Sequence, residues 1–213
     1  FLRCVLCARA FQEDFKGNRC WLCGTAAMSN ALDENVEVNN SSELKSASKR
    51  LPVTFGPLTD QVLPQLKALN SSVFPVKYND KFYSDVQNAG NYTKLAYYST
   101  ELLVGAICCR LESRPEGGIK LYIMTIGVLA PYRCCGVGTA LLETVLNAAA
   151  KDERILEAYL HVQTSNTDAL NFYKRFGFVV KDKILNYYKR IEPPDCFVLA
   201  KTFHGRYAPV HPA

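Results

Sequence analysis

No apolar run in this 213-residue chain approaches the ~20 residues of a membrane span, so no membrane partner is expected. Charge of one sign is in short supply. Lys and Arg number 25 against 20 Asp and Glu, a scattered net charge of +5 that gives no argument for direct nucleic-acid binding and suits a small polyanionic ligand at least as well. A secretory signal is missing too, since the opening FLRCVLCARAF is interrupted by two arginines. The N-x-[ST] triplets at Asn39, Asn40, Asn70 and Asn91 are therefore read as unused. Histidine is scarce: there are three, and His204 and His211 lie in the tail, which leaves His161.

Cysteine is plentiful, at nine, but a disulfide pattern is not evident. Cys108-Cys109 and Cys134-Cys135 are adjacent pairs, and neighbours along a strand point to opposite faces, so free thiols in a reducing compartment are expected. Cys4-x-x-Cys7 and Cys20-x-x-Cys23 form a second cluster. Four thiolates at that spacing can close a tetrahedral zinc site, although the spacing is short for a ribbon. Zinc stays open as the alternative there, with no metal as the main expectation. The chain begins with Phe1, and Met28 opens MSNALDENVEV in the manner of a protein start, so residues 1–27 read as a translated leader or as part of a fragment whose start is missing.

What is present is enough apolar material for a core: 48% hydrophobic residues against 21% charged. Residues 1–50 are expected to form a flexible N-terminal extension, 51–205 the folded domain and 206–213 a loose tail. Within the domain, LPVTFGPL reads as a short strand, and Thr59 and Asp60 precede a helix that Pro75 stops. DKFYSDVQNAG reads as a second helix closed by Gly90. TKLAYYST and ELLVGAICCRLES form a hairpin turning near Thr100, and IKLYIMTIGVL is a strong strand after the RPEGG loop. A helix over 139–151, the strand EAYLHVQ, a helix over 167–176 closed by Gly177, and closing strands FVVKDKIL, YYKRIE and CFVLAKTF complete an α/β or α+β order with a mixed sheet.

Chemistry concentrates in PYRCCGVGTALL, where a strand becomes a helix. A glycine-rich turn feeding a helix presents unpaired backbone N–H groups and the positive end of the helix dipole, which together attract a phosphate or pyrophosphate. Glycine is needed because a Cβ would hold the anion off the backbone. The run is not G-x-G-x-x-G, having no third glycine, and not a Walker loop, having no G-K-[ST]. By period two, Tyr122, Met124 and Ile126 share one strand face, as do Tyr159, His161 and Gln163 on another strand. If these strands are neighbours, Tyr122 and His161 converge on one cleft.

Arg133-x-x-Gly136-x-Gly138 after a strand resembles the acetyl-CoA pyrophosphate turn of the GCN5-related N-acetyltransferases (GNAT). Asn166 and the run ALNFYKRFGF at 169–178 resemble the helix that lines the CoA arm in that superfamily. FPVKYNDKFY, LYIMTIGVLAPYR, YLHVQTSN and NYYKRIEP are further similar to the San family, the catalytic subunits of N-terminal acetyltransferase E, over roughly residues 55–203. The resemblance implies a GNAT fold, a mixed and mostly antiparallel twisted sheet flanked by about four helices. It implies acetyl-CoA as co-substrate, no catalytic metal, and transfer of the acetyl group to protein α-amino termini, preferring Met followed by a hydrophobic residue.

It also implies the site. Tyr122 and His161 act as a base pair through an ordered water. Arg133, Cys134, Gly136, Val137, Gly138 and Thr139 hold the pyrophosphate; Cys134 and Cys135 stand where the family usually has a second basic residue, and binding through amides is expected to survive. Strand amides near Met124, Ile126, Gly127 and Val128 serve the oxyanion, helped by a bulge expected at Gly127. Asn166 and Tyr173 face CoA, with the Tyr173 phenol placed to protonate the leaving thiolate. Phe74, Pro75, Val76 and Tyr78 on one side, and Tyr187, Tyr188 and Ile191 on the other, wall the peptide, with Met124 between them. The implied partners are nascent-protein N-termini and the NatA catalytic and auxiliary subunits at the ribosome, in the cytoplasm and also the nucleus. A lysine acetyltransferase and a non-catalytic docking subunit are the alternatives carried forward.

Overall fold

The computed structural model describes residues 50–189 and 191–203. The Cys4, Cys7, Cys20 and Cys23 cluster, most of the expected extension and the tail lie outside the described residues. In chain order the elements are β1 (Thr54–Gly56), α1 (Leu63–Val73), α2 (Asp80–Asn88), β2 (Lys94–Tyr98), β3 (Leu102–Ser113) and β4 (Ile119–Val128), then α3 (Val137–Lys151), β5 (Ile155–Gln163), α4 (Thr167–Arg175), β6 (Val179–Ile184) and β7 (Cys196–Thr202). Short 3-10 turns occupy Gly90–Tyr92 and Ala130–Tyr132. All seven strands lie in one sheet, ordered β1-β2-β3-β4-β5-β7-β6. Every neighbouring pair is antiparallel except β4 and β5, which the α3 crossover makes parallel. This is the mixed, mostly antiparallel sheet with four flanking helices that the resemblance implied.

The helices follow from their apolar spacing. Leu66, Leu69 and Val73 make the buried stripe of α1, and Phe82, Tyr83 and Val86 that of α2. Val137, Leu141, Leu142, Val145, Leu146 and Ala149 give α3 a wider one, as a helix lying flat on a sheet requires. Asn79 caps α2 by accepting from the Phe82 N–H at 3.0 Å. The sheet separates two apolar cores: α1 and α2 pack one face with Leu95, Ala106, Cys108, Tyr122 and Met124, while α3 and Tyr173 of α4 pack the other with Ile107, Cys109, Leu121, Ile123 and Ile126. Cys108 and Cys109 thus point to opposite faces, and the five described cysteines are all free thiols.

Three expectations need correction. α1 starts at Leu63 rather than just after Asp60, because Pro64 fits the first turn of a helix and Thr59 supplies only backbone bonds, to the N–H groups of Val62 and Leu63. α3 starts at Val137, two residues early, because Gly136 itself takes the N-cap position. YYKRIE is not a strand. The described part of 185–195 is an irregular connection in which Tyr188 N–H donates to the Pro194 carbonyl at 2.7 Å, and Pro193 and Pro194 cannot donate to a ladder.

Candidate active site

The glycine turn stands where the sequence put it, between β4 and α3. Its backbone alternates in hand: Arg133 is extended, Cys134 has φ +58° and Gly136 φ +79°. Left-handed residues in a tight turn are a feature of the concavities in which backbone amides bind anions. Gly136 is also the N-cap of α3, so the helix N-terminus faces the same concavity. The turn opens onto a groove of about 640 Å³, within the range of small-molecule sites. Ile126, Gly127, Val128, Arg133, Cys134, Gly136, Val137, Gly138, Thr139 and Tyr173 all line it.

The groove reaches the sheet where two strands part. β4 and β5 are paired only from Ile119↔Ile155 to Tyr122↔Tyr159, yet β4 runs on to Val128 and β5 to Gln163. Beyond Tyr122 the parallel strands splay into a wedge. Val128 turns its carbonyl away from β3, where Arg133 Nε donates to it at 3.1 Å, while the next N–H, of Leu129, donates to Val104 of β3. By the alternation of an antiparallel ladder, the peptide edges of Ile126 and Val128 face the wedge.

The strand distortion is real but sits earlier than expected. The β3–β4 register shifts between Cys108 and Cys109, which pair with Thr125 and Ile123, so Met124 is the extra residue. Gly127 pairs regularly with Ala106. The bulge changes the alternation: Tyr122 and Met124 face α1 and α2, whereas Ile126 faces α3. Ile126 therefore does not share the Tyr122 face, as strict period two had implied.

Tyr122 and His161 do converge. The Tyr122 hydroxyl lies 3.3 Å from His161 Nδ1. Tyr159 stacks on Tyr122 at 4.8 Å between centroids, and Tyr187 stacks on His161 at 4.7 Å. Tyr159 in turn donates its hydroxyl to Glu112 at 2.6 Å. Arg110 binds Glu112 as well, through Nε at 3.0 Å, and its guanidinium lies 5.1 Å from the Tyr122 ring centroid. Burial pulls the His161 imidazole below its ordinary value, with the Glu112 charge opposing, so the ring is held neutral near pH 7 and ready to accept a proton. Burial, then the carboxylate of Glu112, pushes the Tyr159 phenol far up, which leaves it a donor rather than a base. Glu112 and Arg110 were absent from the expected site; no short motif marks them, because they act across the sheet from β3.

The residues expected to wall a peptide fall into two groups. Phe74 and Tyr78 meet edge to face at 5.9 Å, Tyr78 stacks on Phe82 at 4.2 Å, and Val76 projects outward after Pro75. Phe74 packs in the core that holds Tyr122 and Met124 and also lines the groove, so it borders both sides. On the far side Tyr187 covers His161, while Tyr188 packs beneath it, 2% exposed, at a 4.9 Å ring contact. Ile191 is half-buried in the same connection. Asn166 does not line the groove: its side chain accepts from the Ala169 N–H at 3.1 Å and caps α4. Arg50, Val73, Tyr132, Glu143, Asp168 and Phe172 line the groove without having been expected. Among the described residues no group of three metal-ligating side chains gathers.

Comparison with known proteins places the chain in a family. The profile of the Acetyltransferase (GNAT) family matches residues 63–178. The chain is 50% identical over 160 residues to the probable N-acetyltransferase san of Drosophila melanogaster, covering 75% of this chain and 85% of that protein. To N-alpha-acetyltransferase 50 of Danio rerio it is 48% identical over 157 residues, covering 74% and 92%. Among solved structures, Arabidopsis thaliana Naa50 in complex with the bisubstrate analogue CoA-Ac-MVNAL is similar at a TM-score of 0.66 and 54% identity, covering 71% of this chain and 99% of that one.

Proposed function

Since the chain belongs to the acetyltransferase (GNAT) family, we propose that it moves an acetyl group from acetyl-CoA to the α-amino group of protein N-termini, preferring methionine followed by a hydrophobic residue. The observation that carries this reading is the glycine turn with its groove beside the strand wedge, together with the Tyr122–His161 pair on the strands that form the wedge. The likeness to Naa50 bound to a CoA–peptide bisubstrate supports acetyl-CoA and a peptide N-terminus as its two substrates.

Acetyl-CoA supplies the acetyl group as a thioester. The remaining roles fall to this chain. The amides at Cys135 to Gly138 and the N-terminus of α3 bind the diphosphate. The backbone edge of Ile126 and Val128 offers N–H groups to the oxygen that gains charge as the amine attacks. His161 and Tyr122 take the amine proton through one ordered water, a modest task for a group with pKa near ~8. Tyr173, within the groove, returns a proton to the departing sulfur. Phe74, Pro75, Val76 and Tyr78 face Tyr187 and Ile191 across the peptide, with Tyr188 supporting Tyr187 from beneath, an apolar slot for a Met side chain and its neighbour and a poor one for a lysine flanked by charge. The NatA catalytic and auxiliary subunits at the ribosome are the assigned partners, tested by co-purification with and without ribosomes.

The decisive experiment is turnover on short peptides that vary the first two residues, each with a free or a blocked α-amine. Activity highest on Met-Leu-like starts and abolished by blocking is expected. Undiminished turnover on blocked, lysine-bearing peptides would overturn the reading in favour of lysine acetylation.

A further inference from the structure

We propose that Arg50 is a phosphate ligand of the cofactor groove, contributed by chain that precedes the first strand; this rests on the acetyl-CoA reading above. Its backbone is tied to the phosphate turn, because the Leu51 N–H donates to the Cys135 carbonyl at 2.9 Å. Its side chain runs along the turn: a Cβ built on Gly136 would lie 3.2 Å from Arg50 Cγ. Arg50 lines the groove together with the cations Arg133 and Arg175 and the acids Glu143 and Asp168. Arg133 is already committed through Nε to the Val128 carbonyl, and Arg175 lies over the Phe172 ring at 5.8 Å. Among the described residues, the Arg50 side chain pairs with Glu143, at 3.5 Å with side chains 65% and 42% exposed.

An exposed pair at that separation is worth little, so Arg50 gives it up readily. A diphosphate offers a guanidinium more: two charge-assisted hydrogen bonds in the fork geometry that phosphate oxygens fit. The same turn lacks the second basic side chain expected after Arg133, having Cys134 and Cys135 instead. Arg50 brings a positive charge to that place from outside the motif. The lower-yield role for the same contacts is that Arg50 merely neutralises Glu143.

The two roles separate in a double-variant cycle on the full chain, with CoA and pantetheine as probes in calorimetry. Arg50→Ala is expected to weaken CoA about tenfold, the size of one exposed charge-assisted contact, in both the wild-type and the Glu143→Gln background. Pantetheine, which lacks the phosphates, should bind all variants alike, and Arg50→Lys should fall between. Unchanged CoA affinity in Arg50→Ala, a loss that vanishes in the Glu143→Gln background, or an equal loss for pantetheine would each overturn the assignment. A wild-type protein that binds neither probe would sink the acetyl-CoA reading itself.

Discussion

Gly127→Ala tests whether the wedge and the peptide wall are one packed unit. Gly127 has an ordinary backbone conformation, outside the left-handed region, so alanine meets no dihedral penalty there. The obstacle is space: a Cβ at this position would sit 2.9 Å and 3.1 Å from the Phe74 ring and 3.1 Å from Val73 Cγ1. That is about half an ångström inside ordinary contact. Phe74 has little room to yield. It is 4% exposed, its N–H closes α1 on the Asn70 carbonyl at 2.9 Å, and Pro75 confines its backbone to the extended region. Tyr78 stands edge-on behind its ring. Overpacking of this kind costs ~1–3 kcal/mol, and loss of glycine's freedom in the unfolded chain returns ~0.4–1. A net ~1 kcal/mol corresponds to a fall in Tm of about 2–4 °C. On the proposed reading the catalytic effect should be larger in proportion, because displacing Phe74 moves a side chain that lines the groove and packs in the core of Tyr122 and Met124. We expect kcat/KM to fall about tenfold through a shift of a few tenths of an ångström, with KM rising for both substrates. Differential scanning calorimetry and initial-rate kinetics with either substrate varied give both numbers. Unchanged Tm together with unchanged KM for both substrates would refute the packing argument.

The other expectations concern the proton path and the turn. Tyr122→Phe and His161→Ala should each lower kcat about 100-fold in a peptide-acetylation assay while leaving CoA affinity intact; near-normal turnover in both would remove them from the mechanism. Because burial depresses His161, its contribution to stability should be complete above the ordinary imidazole value of ~6.5 and be lost as pH falls toward the lower folded value. The same ionisation should set the acid limb of kcat/KM, and Glu112→Gln, which removes the one charge opposing the shift, should move that limb to lower pH. A limb that stays put would show that Glu112 has only a packing role. Finally, Cys134 is the exposed thiol among the described residues, whereas Cys108 is buried with its thiol pushed up to about 12 and Cys109 is likewise buried and raised. Iodoacetamide followed by peptide mass mapping should modify Cys134 ahead of Cys108, Cys109, Cys135 and Cys196. CoA should protect it; labelling at an equal rate with CoA present would count against the turn as the phosphate site.

What was legible in the residues was local or periodic. The glycine turn occupies six consecutive positions from Arg133 to Gly138, and its shape lies in the backbone of those positions, so distance along the chain hides nothing. The apolar stripes of α1, α2 and α3 are set by helical period in the same way. The pairing of Tyr122 with His161 was legible only conditionally, since period two gave each its face but not the adjacency of their strands.

Tertiary structure decided the rest. Placing β5 beside β4, and parting the two after Tyr122, requires the α3 crossover to pack on the sheet, and no local pattern encodes where paired strands stop pairing. The bulge at Met124 was invisible because every residue from Tyr122 to Ile126 is equally apolar or small, so a one-residue shift in phase leaves the pattern unchanged. The capping bond from the Ala169 N–H to the Asn166 side chain is local, because an asparagine before a helix meets the helix's own amides first. Arg50 and Glu112 are placed by contacts spanning 93 residues to Glu143 and 47 to Tyr159. A side chain's neighbours in sequence set its backbone; its neighbours in space set its charge, its partners and its work, and those exist only once the sheet has closed.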